Sequence, residues 1–157
     1  MAVSVIGGMA LILPDIFYFG KHIGAIAESY AAKPTVPYLI ATVTYGAVIE
    51  EIMLRLFVMS LVAFLLWKVF ARRQETPSAG ILIAANIIAA LLFAAGHLPT
   101  TFVMLGDSAL IIFRCFLLNG VFGLAFGRLY RKFGLRYAMI AHGGCHIVSK
   151  LIWILFL

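Results

Sequence analysis

Long apolar stretches separated by short polar segments run along the whole chain. Five stretches are long enough to cross a bilayer as helices, since one crossing takes about 20 apolar residues. The predicted spans cover residues 2–20, 37–67, 79–97, 108–127 and 137–157. We therefore predict an all-α fold, a polytopic membrane helix bundle of about five transmembrane helices. Interfacial or broken pieces would raise the count to six or seven helical segments.

Prolines, glycines and caps refine these boundaries. Pro14 is predicted to kink the first span, and Pro99 to end the third. The second apolar stretch exceeds one membrane thickness, so it must tilt, break near Gly46 or begin at the interface. Ser108, after Asp107, is a plausible N-cap for the fourth span.

The distribution of basic residues orients the bundle. The predicted loops 68–78 and 128–136 hold most of the Lys and Arg residues, whereas the predicted loop 98–106 has none. The positive-inside rule then places the N-terminus in the cytoplasm and the C-terminus outside. Residues 21–34 are mixed in polarity and are predicted to form a loop or an interfacial helix.

Composition excludes most other classes of protein. The 157 residues are 64% hydrophobic, with 12 Lys and Arg against 6 Asp and Glu, and the mean hydropathy is +1.11. Disordered chains, nucleic-acid-binding domains and large soluble enzymes do not have this composition. We expect one membrane-embedded domain over residues 1–157, the lipid bilayer as a partner and no nucleic acid. The two cysteines lie in apolar segments and indicate no disulfide framework.

Ionisable residues inside the spans are the candidates for function, because such groups are costly in lipid and usually functional. The second span, the end of the third and the fifth carry them at Glu50, Glu51, Arg55, His97, His142 and His146. Such a set can hold a water, a proton relay or a metal.

Helical spacing divides this set. Glu51 and Arg55 are four residues apart, share a face and can form an ion pair. Glu50 points about 100° away around the helix, which leaves its carboxylate available as a general base. His142 and His146 are also four apart and lie on one face.

Three short motifs occur in order in successive spans. Residues 50–55 fit EExxxR, and residues 93–97 fit FxxxH. The segment 123–130, followed by Gly134 and His142, is similar to a glycine-rich span and a final HxxxN segment. Over residues 45–150 the chain resembles the CPBP (CAAX prenyl endopeptidase and bacteriocin-processing, or Abi) family of intramembrane proteases.

The resemblance implies peptide-bond hydrolysis by a glutamate-activated water, with no cofactor. Glu50 would be the general base, His97 would help to hold the water and His142 would face the developing oxyanion. The residues that orient this site would be Glu51, Arg55 and Phe93.

One position departs from the family pattern. Where the final motif usually ends in Asn or Asp, this chain has His146. A neutral imidazole can donate a hydrogen bond in place of the amide, but it can also bind a metal. The alternative is therefore a zinc-dependent protease with Glu50, His97, His142 and His146 as ligands.

Helical rise predicts different depths in the membrane for the candidate site residues. At 1.5 Å per residue, Glu50 and His97 lie about 25 Å from the cytoplasmic ends of their spans, but His142 only about 9 Å. They meet only if the fifth helix is displaced or the second overshoots the membrane. With the predicted topology the site opens toward the outer side.

The expected substrate is a peptide or protein cleaved near the membrane surface, such as a C-terminal sorting tail, a bacteriocin leader or a prenylated CAAX-like tail. We expect an integral protein of a prokaryotic plasma membrane. A catalytically inactive membrane adaptor on the same fold is a second hypothesis, and a small proton-coupled carrier ranks last because the chain shows no inverted repeat.

Overall fold

A computed structural model describes residues 2–157, in which six helices account for most of the chain. The helices are α1 (Ala2–His22), α2 (Gly24–Ala31), α3 (Val36–Phe70), α4 (Ala79–Leu105), α5 (Ala109–Phe133) and α6 (Leu135–Phe156). All but α2 are long and apolar enough to cross a membrane. No β-strand occurs within residues 2–157. The predicted all-α bundle with five spans is thus confirmed.

Serine caps begin two of the spans. The Ser78 hydroxyl accepts a hydrogen bond from the Ile81 amide at 3.3 Å at the start of α4. Ser108 does the same for the Ile111 amide at 3.4 Å at the start of α5, as predicted. Each cap satisfies one of the amides that a first helical turn leaves without a partner.

Two segments predicted as loops are helical. The regular helix of the third span ends at Gly96, next to the predicted end at His97, but α4 only turns there and continues from Leu98 with Pro99 in its first turn. Proline is tolerated there, since first-turn amides have no helical acceptor. Residues 98–105, predicted as a loop, are therefore helical.

The predicted loop 128–136 is also mostly helical. α5 runs to Phe133 and α6 begins at Leu135, so only Gly134 links them. This glycine has a φ of 92°, a left-handed conformation that side chains with a Cβ disfavour. The basic residues Arg131 and Lys132 consequently lie in the last turn of α5, where cations interact favourably with the helix dipole.

The 35-residue helix α3 crosses without a break at Gly46. Its segments Thr42–Glu50 and Ile52–Met59 are π-helical. Because π-helical turns are wider than α-helical turns, each residue advances the chain less along the axis. This geometry accommodates a long apolar segment. In α1 a similar π-helical turn, Asp15–Phe19, follows Pro14.

Small residues bring the spans into close contact, as is usual between membrane helices. The Cβ that an alanine would add at Gly123 of α5 would lie 2.9 Å from the Cβ of Ala90 in α4. α1 packs along α6, with Gly8 against Val148. The first part of α3, through Glu50, packs on α6, and its following part contacts α4.

A buried charge cluster joins α1, α2 and α5. Asp15 is 2% exposed and accepts two hydrogen bonds from the Arg114 guanidinium, at 2.6 and 2.5 Å. The Tyr30 hydroxyl donates to the same carboxylate at 3.0 Å. Burial raises the pKa of Tyr30, and Asp15 raises it further, so the phenol keeps its proton and remains a donor. Arg114 is not among the residues predicted from the sequence, although an acid and a base in separate apolar spans are a signal of such a pair.

We expect Asp15→Asn to lower the free energy of unfolding by about 3–5 kcal/mol, because it leaves the Arg114 guanidinium without a carboxylate. The thermal unfolding midpoint in detergent measures the effect. Replacing both residues, as Asp15→Asn with Arg114→Met, should recover a large part of the loss. A double variant as unstable as the single one would contradict an unpaired charge as the cause.

Candidate active site

A fully buried ion pair in α3 forms the base of the site. The Arg55 Nε donates to Glu51 Oε2 at 3.2 Å, and both side chains are 0% exposed. The predicted pair is therefore present. The guanidinium carbon lies 5.3 Å from the centroid of the Phe93 ring in α4, a cation–π contact. Phe93 thus lies against the pair and contributes to its enclosure.

Glu51 also holds His142 of α6. Its second carboxylate oxygen, Oε1, lies 2.9 Å from His142 Nδ1. An ionised carboxylate only accepts hydrogen bonds, so His142 Nδ1 is the donor. The His142 ring stacks on Phe126, with centroids 4.4 Å apart. These contacts direct His142 Nε2 toward Glu50.

Glu50 lies between two imidazoles. Its Oε1 is 3.9 Å from His97 Nε2, and its Oε2 is 3.9 Å from His142 Nε2. These distances exceed those of direct hydrogen bonds but are of the kind that water molecules bridge. The Glu50 side chain is 17% exposed, unlike the buried Glu51. The two adjacent glutamates therefore occupy different environments, as their helical spacing predicts.

His97 lies at the turn within α4. Its Nδ1 is 2.8 Å from the carbonyl oxygen of Phe93, so Nδ1 donates. The neutral ring then presents an unprotonated Nε2 on the side of Glu50. The His97 side chain is 34% exposed, whereas that of His142 is 5% exposed. His97 thus combines a held orientation with access for a ligand.

His146 adjoins the site through the next turn of α6. Its ring stacks on His142 with centroids 5.0 Å apart. A Cβ at Gly46 of α3 would lie 2.7 Å from His146 Nε2 and 3.5 Å from His142 Nε2. The absence of a side chain at Gly46 therefore leaves the space into which both imidazoles extend.

The structure brings the predicted residues into one connected group. The members are Glu50, Glu51, Arg55, Phe93, His97, His142 and His146. The predicted mismatch in depth does not separate them, since the His142 ring lies 2.9 Å from Glu51 and 3.9 Å from Glu50, and His97 lies 3.9 Å from Glu50.

Sequence reasoning missed two contributors. The sequence predicts Gly46 only as a possible break in the helix, and it does not predict the stacking of the Phe126 ring on His142. Phe126 lies within the glycine-rich segment 123–130 that carries the family resemblance. This position is the sequence signal that could have pointed to it. The role of Gly46 depends on a contact between α3 and α6 that sequence spacing does not contain.

The four residues of the zinc alternative are not in a metal-binding arrangement. Among the side chains of residues 2–157, no three His, Cys, Asp or Glu are placed to hold a metal ion together. The two imidazole Nε2 atoms are each 3.9 Å from a Glu50 oxygen, whereas donors about 2.0–2.2 Å from a tetrahedral zinc lie about 3.3–3.6 Å apart.

The chain matches a known protein family. The family model described as Type II CAAX prenyl endopeptidase Rce1-like matches residues 32–148, about three quarters of the chain. That range contains all seven residues of the connected group. No curated protein and no solved structure matches the chain. The match confirms the family that the motifs predicted.

We expect Gly46→Ala to displace the His146 and His142 rings and lower peptidase activity by about tenfold to a hundredfold, because small misplacements of reacting groups cost this much. Gly120→Ala is the matched control, since a Cβ there meets nothing within 4 Å. Initial rates and thermal midpoints of both variants are the measurements. Wild-type activity in a folded Gly46→Ala protein would contradict the importance of this space.

Proposed function

The chain belongs to the Rce1-like family of type II CAAX prenyl endopeptidases, and from this membership we propose that it hydrolyses a peptide bond near the membrane surface with a water activated by Glu50. The observation that carries the proposal is the position of the Glu50 carboxylate, 3.9 Å from the Nε2 atoms of both His97 and His142. A carboxylate so placed can take a proton from a water held between it and His97.

The first step is attack of the water on the scissile carbonyl. Glu50 accepts one water proton, while the unprotonated Nε2 of His97 accepts a hydrogen bond from the other. The water oxygen bonds to the carbonyl carbon and the carbonyl oxygen becomes an oxyanion. When the carbon–nitrogen bond breaks, Glu50 returns its proton to the leaving amine. General acid–base catalysis of this kind contributes about 10²- to 10⁴-fold.

His142 faces the oxyanion in this proposal. Its Nδ1–H is committed to Glu51, so Nε2 can donate only when the ring is protonated. The proposal therefore uses the cationic ring, which lies beside the carboxylates of Glu50 and Glu51. Arg55 holds Glu51 in place through their buried contact. A preorganised donor of this kind contributes about 3–4 kcal/mol to transition-state stabilisation.

His146 takes the place of the amide with which the family motif usually ends. Its ring stacks on His142, and its Nε2 faces the Gly46 side of the site. A neutral imidazole has one N–H, so it can supply the second hydrogen bond to the oxyanion.

The proposed substrate is the C-terminal tail or the leader of a membrane-associated or exported protein, including prenylated tails of the type in the family's name. The enzyme acts without a cofactor. The basic ends of α3 and α5 favour a cytoplasmic N-terminus in a prokaryotic plasma membrane.

Glu50→Gln should reduce peptidase activity by at least about a hundredfold, because the amide cannot accept the water proton. The protein should remain folded, since Glu50 is partly exposed and makes no direct hydrogen bond. Peptidase activity of the reconstituted protein is measured on a panel of farnesylated CAAX, sorting-tail and leader peptides. The thermal unfolding midpoint shows whether the protein remains folded. Glu51→Gln is the contrasting variant and should be unstable, because it leaves the buried Arg55 guanidinium without a carboxylate. A folded, fully active Glu50→Gln protein would refute the glutamate mechanism.

Washing the purified protein with a chelator should leave its peptidase activity unchanged. Elemental analysis of the washed sample should find zinc at far less than one atom per chain. Loss of activity on washing, with recovery when zinc is added, would instead establish the zinc-dependent alternative.

A further inference from the structure

Lys150 lies inside the apolar helix α6, one turn beyond His146. The positions 142, 146 and 150 are four residues apart, so these three side chains share one face of the helix. Lys150 is only partly exposed. A cationic residue in a span usually has a specific partner or a specific task.

This ammonium group has no anionic partner within residues 2–157. Its Nζ lies 5.2 Å from the ring centroid of Tyr38 and 5.5 Å from that of Trp153, and no salt bridge or hydrogen bond to it occurs in the described chain. Aromatic rings stabilise a cation, but they leave its three N–H donors unused.

Three other cations of the bundle contrast with Lys150. Arg55 and Arg114 are each held by a carboxylate, and Lys33 donates to the carbonyl oxygen of Ile154 at 3.0 Å. Trp153 is fixed by its own hydrogen bond to the carbonyl oxygen of Tyr30 at 3.1 Å. Lys150 is therefore oriented by a rigid aromatic neighbour and remains able to bind an anion from outside the chain.

An apolar groove of about 130 Å³ lies beside Lys150, between α3 and α6. It is lined by Leu39, Val43, Ile147, Lys150, Leu151 and Ile154. Val43 is one turn from Gly46, and Ile147 follows His146, so the groove lies next to the site along α3 and α6. Its lining suits a short apolar peptide whose single negative charge lies at one end.

The distances set the length of that peptide. Four residues of α6 separate His146 from Lys150, an axial rise of about 6 Å, to which the length of the lysine side chain adds reach. An extended chain advances about 3.3–3.6 Å per residue. Two or three residues thus separate a carbonyl at the imidazoles from a group at Lys150 Nζ.

Resting on the proposed protease function, we propose that Lys150 binds the C-terminal carboxylate of the substrate, so that cleavage occurs two or three residues before the end of the tail. The groove would then hold the apolar side chains of the released fragment. Lys150 is a specificity-determining residue in this assignment, separate from the groups that act on the water.

The probe is a farnesylated cysteine peptide ending three residues after the cysteine, prepared as a free acid and as a C-terminal amide. Both forms are assayed in vesicles with wild-type protein and Lys150→Met. The matched control is Lys68→Met, because Lys68 also lies over aromatic rings, 4.3 Å from the Trp67 centroid, but near the opposite end of the bundle.

Wild-type protein should cleave the acid at least about tenfold faster than the amide in kcat/KM, the loss expected for one charge-assisted hydrogen bond. Lys150→Met should cleave the acid as slowly as the amide, with no further loss on the amide, while Lys68→Met should retain the wild-type preference. One added residue at the tail should also lower the rate for wild-type protein.

Equal wild-type rates on acid and amide would overturn the assignment, and this comparison needs no variant to fold. A Lys150→Met effect that is equal on both peptides, or that appears only when anionic lipid is added, would overturn it in favour of packing or lipid anchoring. Failure of wild-type protein to cleave either form would refute the proposed function on C-terminal tails, and the Lys150 assignment with it.

Discussion

The guanidinium of Arg55 is fully buried in a membrane bundle, where an unpaired charge would cost several kcal/mol. Its neutralisation organises the site. Glu51 supplies the opposing charge from the same helix and, through its second oxygen, fixes the orientation of His142 on α6. Phe93 closes the other face from α4. One ion pair thus ties together the three helices that carry the candidate catalytic groups.

Charges in this molecule fall into two environments. The pairs Glu51–Arg55 and Asp15–Arg114 are direct contacts between largely buried groups, and they hold helices or residues in place. Glu50 and His97 are partly exposed and meet at a distance that leaves room for a water. The two adjacent glutamates therefore occupy different environments, since Glu51 is fixed by a fully buried cation whereas the side chain of Glu50 is 17% exposed.

Irregular helical turns occur where these groups lie. The π-helical turns of α3 include Glu50 and Arg55, and the turn within α4 occurs at His97. Such bulges are frequent at functional sites, because they reorient side chains without ending the helix. Gly46 completes the arrangement by leaving space for the imidazoles of α6. The regular parts of the spans supply the apolar surface, and the irregular turns carry Glu50, Arg55 and His97.

Hydrophobic patterning alone determined that the chain spans a membrane about five times, since apolar length and low charge permit no other fold class. The motifs also sufficed to predict the family. The residues from Glu50 to His146 could be singled out because ionisable groups are costly in lipid and are usually functional. Only the tertiary structure decided that Asp15 pairs with Arg114, that Gly46 faces His146 and that Phe126 stacks on His142. Those contacts join residues on different helices, and helical spacing constrains neighbours within one helix only. The predictions of loops at 98–106 and 128–136 were wrong for local reasons. Proline is tolerated in the first turn of the helical segment Leu98–Leu105, and the single residue Gly134 suffices to link α5 and α6.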